Sequence, residues 1–199
     1  MIKMVIVYHS GFGHTKLQAE AVLRGAVGVE GVEALLLTTE EAGADIDRLD
    51  DADAILFGSP TYMGSMSAEM KRFIEASSGK WYTQAWTDKV AGAFTSSSSF
   101  SGDKLNTLVS LMLTAMQQGM IFVGLGMHPA ASDPDSLNRI EGPGPEVTNR
   151  IGSSVGPAAA CFRVDAGETP ATGDLATAEA YGARVAAITL QLARGRRVD

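Results

Sequence analysis

The sequence predicts an α/β fold, a three-layer α/β/α sandwich around a parallel sheet. Three observations carry this. Apolar, β-branched runs alternate with helical stretches, which implies right-handed crossovers and a sheet covered on both faces. One such run, "DAILFGSP" (53 to 60), is continuously apolar and stopped by Gly58 and Pro60, the pattern of a strand buried on both sides. The 199 residues, 45% hydrophobic and with 22 glycines, suit one domain with a single large core.

The elements follow in order. "KMVIVYHS" (3 to 10) is the first strand, and "KLQAEAVLRGAV" places Leu17, Ala21 and Arg24 or Gly25 along one helical stripe. "VEALLLTT" (32 to 39) is the second strand, and "IDRLDDAD" a polar link, short-helical or irregular. After the third strand, "SMSAEMKRFIEAS" (65 to 77) reads as a helix with Met66, Met70, Phe73 and Ile74 on its face. The polar and aromatic "SGKWYTQAWTD" separates it from a fourth strand, "KVAGAFTSSSS", which runs into a loop. "KLNTLVSLMLTAMQQG" is a buried helix closed by Gly119, "MIFVGLG" is the fifth strand, and "LATAEAYGARVAAITLQLARG" is the last helix. Residues 128 to 173 break the rhythm with six prolines and many glycines, so this long irregular insertion is expected to be functional or to lie at an interface.

Composition excludes several classes of function. A formal net charge of -7 with no basic stripe argues against a nucleic-acid partner. No stretch approaches the ~20 apolar residues of a membrane span, and no leader pattern precedes the first strand, so a cytoplasmic protein starting at Met1 is expected. Cys161 is the only cysteine, which removes an intrachain disulfide, and it reads as a small buried hydrophobe rather than a nucleophile. His9, His14 and His128 lack the spacing of metal ligands. The five aspartates between 45 and 53 read as a solvated face, and Met66, Met70, Met112 and Met116 as core residues. The basic "RGRR" near the C-terminus reads as a solvated helix end.

Chemistry concentrates at three strand ends: Ser10 to Thr15, Ser59 to Ser65 and Thr95 to Asp103. In an open parallel sheet, ligands bind beyond the carboxyl ends of the strands. The first turn, "SGFGHT", can hold a phosphate on the free N–H groups and dipole of the helix that follows, with Ser10, His14 and Thr15 adding donors; the simpler reading is an N-cap. "GFGHTK" misses GxGxxG because Lys16 replaces the third glycine, yet Glu40 lies near the place of a ribose-binding acid, so a dinucleotide fold stays open as an alternative. The second loop, "SPTYMGS", offers a flat heterocycle main-chain groups, the Thr61 hydroxyl and the flanking Tyr62 or Met63.

Together "SGFGHT", "GSPTYMGSMSAEMKRFIE", "GKW", "KVAGAFTSSSSFSGDK" and "QQGMIFVGLG" resemble the WrbA-type flavodoxin-like NAD(P)H:quinone oxidoreductases, collinearly from residue 2 to about 126. The resemblance implies a five-stranded flavodoxin-like sheet in the order 2-1-3-4-5, non-covalent FMN, and a homotetramer, with a dimer as the alternative. Ser10, Phe12, Gly13, His14 and Thr15 would then hold the FMN phosphate. Pro60, Thr61, Tyr62, Met63, Gly64 and Ser65 would line the isoalloxazine, and Ser96, Ser97, Ser98, Phe100, Ser101 and Gly102 would close its other edge. Trp81 matches a tryptophan that reaches a neighbouring subunit's site, and Gln118 stands where the family commonly has a histidine beside the substrate. The loop 96 to 103 is serine-rich where the family is glycine-rich, and "RIEGPGPEVTNRIGSS" departs from the family's Gly-Gly-Thr-Pro-Tyr-Gly stretch.

The expected activity is transfer of two electrons from NAD(P)H to a quinone or similar acceptor in ping-pong order, with the flavin carrying the chemistry and no catalytic dyad. The alternatives are a flavodoxin-type electron carrier without NAD(P)H activity and a relative that has lost FMN. Trp81, Tyr82 and Trp86, in a polar stretch just after a helix, are expected to be covered by another subunit.

Overall fold

In the computed structural model, which describes residues 1–195, the first apolar run becomes β1 (Ile2–Tyr8). It pairs in parallel with β2 (Val32–Thr38) on one side and β3 (Ala54–Tyr62) on the other. β3 continues against β5 (Val90–Ser97), from Ala54 opposite Val90 to Pro60 opposite Ser96. Between them in sequence, β4 (Ser65–Met66) folds back on the end of β3 as a short antiparallel hairpin. Leaving that hairpin aside, the order is the expected 2-1-3-4-5.

The fifth position differs from the expectation of one continuous strand over "MIFVGLG". Two pieces share it: β6 (Ile121–Phe122) pairs with Val90 and Ala91, and β7 (Ala158–Ala160) pairs with Thr95 to Ser97. The chain leaves the sheet after Val123, and Leu125 already bonds to Ser154 O instead. Gly124 and Gly126 permit this: a Cβ on Gly124 would lie 3.2 Å from Ser154 O, and Gly126 has φ +63°. Between the two pieces the ladder is closed by a side chain. The Tyr181 hydroxyl donates to Val123 O (2.5 Å) and accepts from Ala93 N (3.2 Å), an approach open only because Gly92 has no Cβ.

Strand alternation divides β1 between two cores. Ile2, Met4, Ile6 and Tyr8 pack under α1 (His14–Val27) and α6 (Thr172–Gly195), whereas Val5 and Val7 face the side covered by α2 (Thr39–Ala44), α3 (Ala68–Ala76) and α5 (Lys104–Gln117). α1 and α6 cross with backbones in contact: a Cβ on Gly25 would lie 1.8 Å from Glu179 O, and one on Gly182 2.0 Å from Val22 O. The buried face of α1 is Thr15, Gln18, Ala19, Ala21, Val22, Gly25 and Ala26, so of the predicted stripe Ala21 and Gly25 are buried, Leu17 is half-buried and Arg24 is exposed.

Two aromatic and methionine expectations are also corrected. Trp86, expected at a subunit contact, is 1% exposed within its own chain, where its Nε1 donates to Asp50 Oδ1 (3.0 Å). Met116, expected in the core, is 53% exposed because it sits one position past the buried Ala115 on α5. The polar link holding Trp81 forms a short helix, α4 (Ser78–Thr83). Its Lys80 reaches Asp47 and Asp50, so the acidic segment is anchored rather than merely solvated. Of the basic C-terminal run, Arg196 and Arg197 lie outside the described residues.

Candidate functional site

The carboxyl ends of β1, β3 and β5 open on one cavity of about 490 Å³, within the range of small-ligand sites. Its base is the turn between β1 and α1. Gly13 precedes the helix at φ +88°, a conformation that side chains resist, and a Cβ there would press on the Ala166 Cβ at 2.9 Å. The helix has neither a side-chain cap nor an acid in its first turn. Its first backbone bond runs from Leu17 N to Gly13 O (3.1 Å), which leaves the N–H groups of His14, Thr15 and Lys16 without intrahelical acceptors. The buried Ser10 Oγ beside them has no partner. Unused donors at the positive end of a helix suit an anion, and a phosphate above all.

Two of the predicted donors have further work. Thr15, 1% exposed, shares a hydrogen bond with Ser96 across the cavity floor (Oγ1 to Oγ, 2.9 Å), tying the turn after β1 to the end of β5. His14 Nε2 bonds to Val164 O at 2.8 Å, which requires a proton on Nε2 and leaves Nδ1 for another role. The wall along β3 is Pro60, Thr61 and Tyr62. Thr61 is held from behind by Thr95 (2.9 Å) and by Thr107 of α5 (2.8 Å). Tyr62 bonds to the Gly11 backbone and stands edge-on to Phe12, 6.1 Å between ring centres. Burial raises the pKa of its phenol, so Tyr62 is a neutral aromatic wall.

The third side is the serine loop after β5. Ser96, Ser97 and Ser98 line the cavity. The loop is drawn together by Lys104, whose Nζ donates to Ser97 Oγ (2.7 Å), Phe100 O (3.0 Å), Ser101 O (3.3 Å) and, at close range, Ser99 O.

A fourth side went unread in the sequence. Residues 161 to 166, immediately after β7, supply Cys161, Phe162, Arg163, Val164, Asp165 and Ala166 to the lining. The signal was the apolar "PAAA" run before Cys161, a short strand hidden inside a proline-rich segment. Cys161 is 2% exposed, and burial pushes its thiol up to about 12, so it is neutral, as its small, buried character suggested. The wall is secured from below. Arg150 and Asp174, 5% and 1% exposed, form a two-pronged ion pair with both bonds at 2.9 Å. Asp174 also accepts from Ala160 N (3.2 Å), and Arg150 lies over the Phe100 ring, which meets Phe162 edge-on.

The remaining predicted residues fall around this cavity or away from it. Met63 and Gly64 form the tip of the β3–β4 hairpin at φ +47° and +86°, Met63 fully exposed, and Ser65 begins the return strand. Phe100 and Ser101 line a separate groove beside α5. Gly102, at φ +52°, lets the loop close, since a Cβ would meet Ser97 Oγ at 2.2 Å. Trp81 and Gln118 line a small cleft among α3, α4 and the end of α5, where Gln118 Nε2 donates to Ser77 Oγ (2.9 Å), so within this chain neither faces the cavity. Glu40 lies in the first turn of α2, exposed and outside the cavity lining. Among the described residues no helix is long and apolar enough to cross a membrane.

Known proteins are similar to this chain in sequence and in fold. The family described as NADPH-dependent FMN reductase matches residues 31–131. A Pseudomonas aeruginosa protein named flavodoxin FldP is 42% identical over 96% of this chain and 99% of its own length. An NAD(P)H dehydrogenase (quinone) of Geotalea uraniireducens is 33% identical over 97% of this chain and 100% of its own. Among solved structures, a flavodoxin described as a WrbA-like protein, from Agrobacterium tumefaciens, is 38% identical with a TM-score of 0.70, over 96% of this chain and 99% of that one.

Proposed function

Because the chain belongs to the NADPH-dependent FMN reductase family and, within it, to the WrbA-type flavodoxin-like proteins, we propose that it binds FMN and passes two electrons from NAD(P)H to a quinone. One observation carries the reading. The cavity joins an unused phosphate cradle, with the unpartnered Ser10 hydroxyl and the uncapped start of α1, to a space lined by Tyr62 and the serine loop. These residues fit FMN, an anionic group attached to a planar ring.

When bound, FMN supplies the redox chemistry, accepting a hydride from reduced nicotinamide and returning two electrons to the acceptor in ping-pong order. The chain's own residues bind and orient. The first-turn N–H groups of α1, with Ser10 and Thr15, hold the phosphate. Pro60, Thr61 and Tyr62 set the plane of the ring, while Met63, Gly64 and Ser65 shape its rim. Ser96, Ser97 and Ser98 close its other edge, where Ser97 and Ser98 give hydrogen bonds while Ser96 is held by Thr15, and the 161–166 wall excludes water on the side away from β3. No side chain is required to form a covalent bond.

The proposal includes a single domain, a cytoplasmic location and a homotetramer. Trp81 and Tyr82 support the assembly, because both are exposed large aromatics on α4, 45% and 83% accessible. In a tetramer Trp81, with Gln118 behind it, would approach a neighbour's acceptor site.

A second reading, an electron carrier with no NAD(P)H activity of its own, is favoured by the 42% identical relative named a flavodoxin. Apo-protein titrated with FMN, then mixed anaerobically with NADH or NADPH, decides. The flavin band appears and bleaches without any added reductase if the enzyme reading holds. A band that appears and persists assigns the carrier role, and a protein that leaves the FMN spectrum unchanged defeats both.

A further inference from the structure

We propose that Lys104 sets the redox poise of this site, acting through the Ser97 hydroxyl to favour reduced, anionic FMN over the oxidised form. The inference rests on the FMN reading above and goes beyond it in naming a residue and a property.

Lys104 is an unusual cation. It is 2% exposed and occupies the first residue of α5, the end of a helix where positive charge is disfavoured. Among the described residues no carboxylate forms an ion pair with it. The charged and titratable groups that face it are Arg150, Asp174 and Cys161. Arg150 is a like charge, Asp174 is already held by both prongs of Arg150, and Cys161 is a neutral thiol. Burial accordingly lowers the Lys104 pKa to about 8. A buried cation satisfied only by neutral oxygens is costly to the fold. An anion arriving in the adjoining cavity offsets that cost.

Ser97 is the link. It lines the cavity, and its Oγ accepts from Lys104 Nζ at 2.7 Å. Its own proton is held loosely, on Ser99 O at 3.3 Å, and remains available to a ligand. A hydroxyl that accepts from an ammonium is a stronger donor than a free one. The neighbouring Ser96 is committed to Thr15, so Ser97 is the polarised member of the loop. Reduction adds two electrons and one proton to FMN and leaves one net negative charge on the ring. A donor backed by a positive charge binds that form more tightly than the neutral oxidised ring, and protein charge near the ring tunes the flavin in this sense. Above about pH 8, reduction takes up a further proton onto Lys104, so the potential falls more steeply with pH.

The test compares FMN-loaded wild type, Lys104→Met and Ser97→Ala. Midpoint potentials are read by dye-equilibrated spectroscopic titration from pH 6 to about pH 9.5, a range that spans the lowered lysine pKa. Oxidised-FMN affinity is measured alongside by fluorescence. Lys104→Met is expected to weaken binding of reduced relative to oxidised FMN at least tenfold, about 30 mV for a two-electron couple, and to lose the steepening at high pH. Ser97→Ala is expected to shift the potential in the same direction by a smaller amount. Potentials within twofold of wild type in that ratio, in both variants, overturn the proposal and leave FMN binding standing. If Lys104→Met no longer retains FMN because the loop has opened, Ser97→Ala alone decides by the same two results. A wild-type chain that does not bind FMN overturns the flavin reading itself, and this inference with it.

Discussion

Two sides of the cavity are built by opposite means. The turn at residues 10 to 15 is local: one strand end, one helix start and Gly13 at φ +88° produce its donors within six consecutive positions. The wall at 161 to 166 is assembled from afar, by β7 on β5, by Arg150 and Asp174 beneath it, and by His14 bonding to Val164 across 150 positions. The local side can be read as a motif, but the distant side exists only once the sheet has formed. A ligand that touches both therefore reports on the tertiary structure as much as on the turn.

The hardest blow to the distant side is Asp174→Ala. It strands the Arg150 guanidinium in a site 5% exposed and frees Ala160 N, and loss of one partner of a buried pair costs about 3 to 5 kcal/mol. Urea unfolding should show a midpoint lowered accordingly. A loss below about 1 kcal/mol would mean that the wall does not depend on the pair.

Tyr181→Phe attacks the split edge more gently. It removes the hydroxyl that joins Ala93 N to Val123 O, and a buried donor left unpaired costs about 1 to 3 kcal/mol. Hydrogen exchange at Ala93 should accelerate selectively. Uniform exchange across β5 would show that water or a backbone shift replaces the hydroxyl.

On the local side, Gly13→Val combines the strained φ with the 2.9 Å approach to Ala166, and strain of about 1 to 3 kcal/mol is expected. FMN affinity should drop at least tenfold, while far-ultraviolet circular dichroism stays that of the parent. Unaltered affinity would move the phosphate away from this turn.

The smallest effect sharpens the contrast rather than breaking it. Thr15→Val keeps the shape but loses the hydroxyl shared with Ser96, and FMN should bind about 1 to 2 kcal/mol more weakly in a direct titration. If the loss matches that of Ser96→Ala and the double variant adds nothing, the two hydroxyls act as one unit spanning the floor.

The strand–helix alternation, the parallel sheet it implies and the three strand ends that carry the cavity were legible from the sequence, because each depends on neighbours within one element; the order of the strands came only with the resemblance to the WrbA-type family. Hydrophobic period and the glycines, prolines and hydroxyl residues that stop a strand are local quantities. Ser10, Thr15, Pro60, Thr61 and Tyr62 were found that way, Ser96 to Ser98 through the family resemblance, and all of them line the cavity. Cys161 was seen to be buried, but not to border it. The tertiary structure alone decided that the fifth strand is shared by Ile121–Phe122 and Ala158–Ala160, that Tyr181 closes the gap between them, and that Trp86 is covered by its own chain. It also decided that Lys104, seemingly one more polar residue opening a helix, is enclosed under the serine loop. Each of these rests on a partner far away in sequence, and a local pattern holds no information about which distant segment fills a gap in a ladder or closes over a charge.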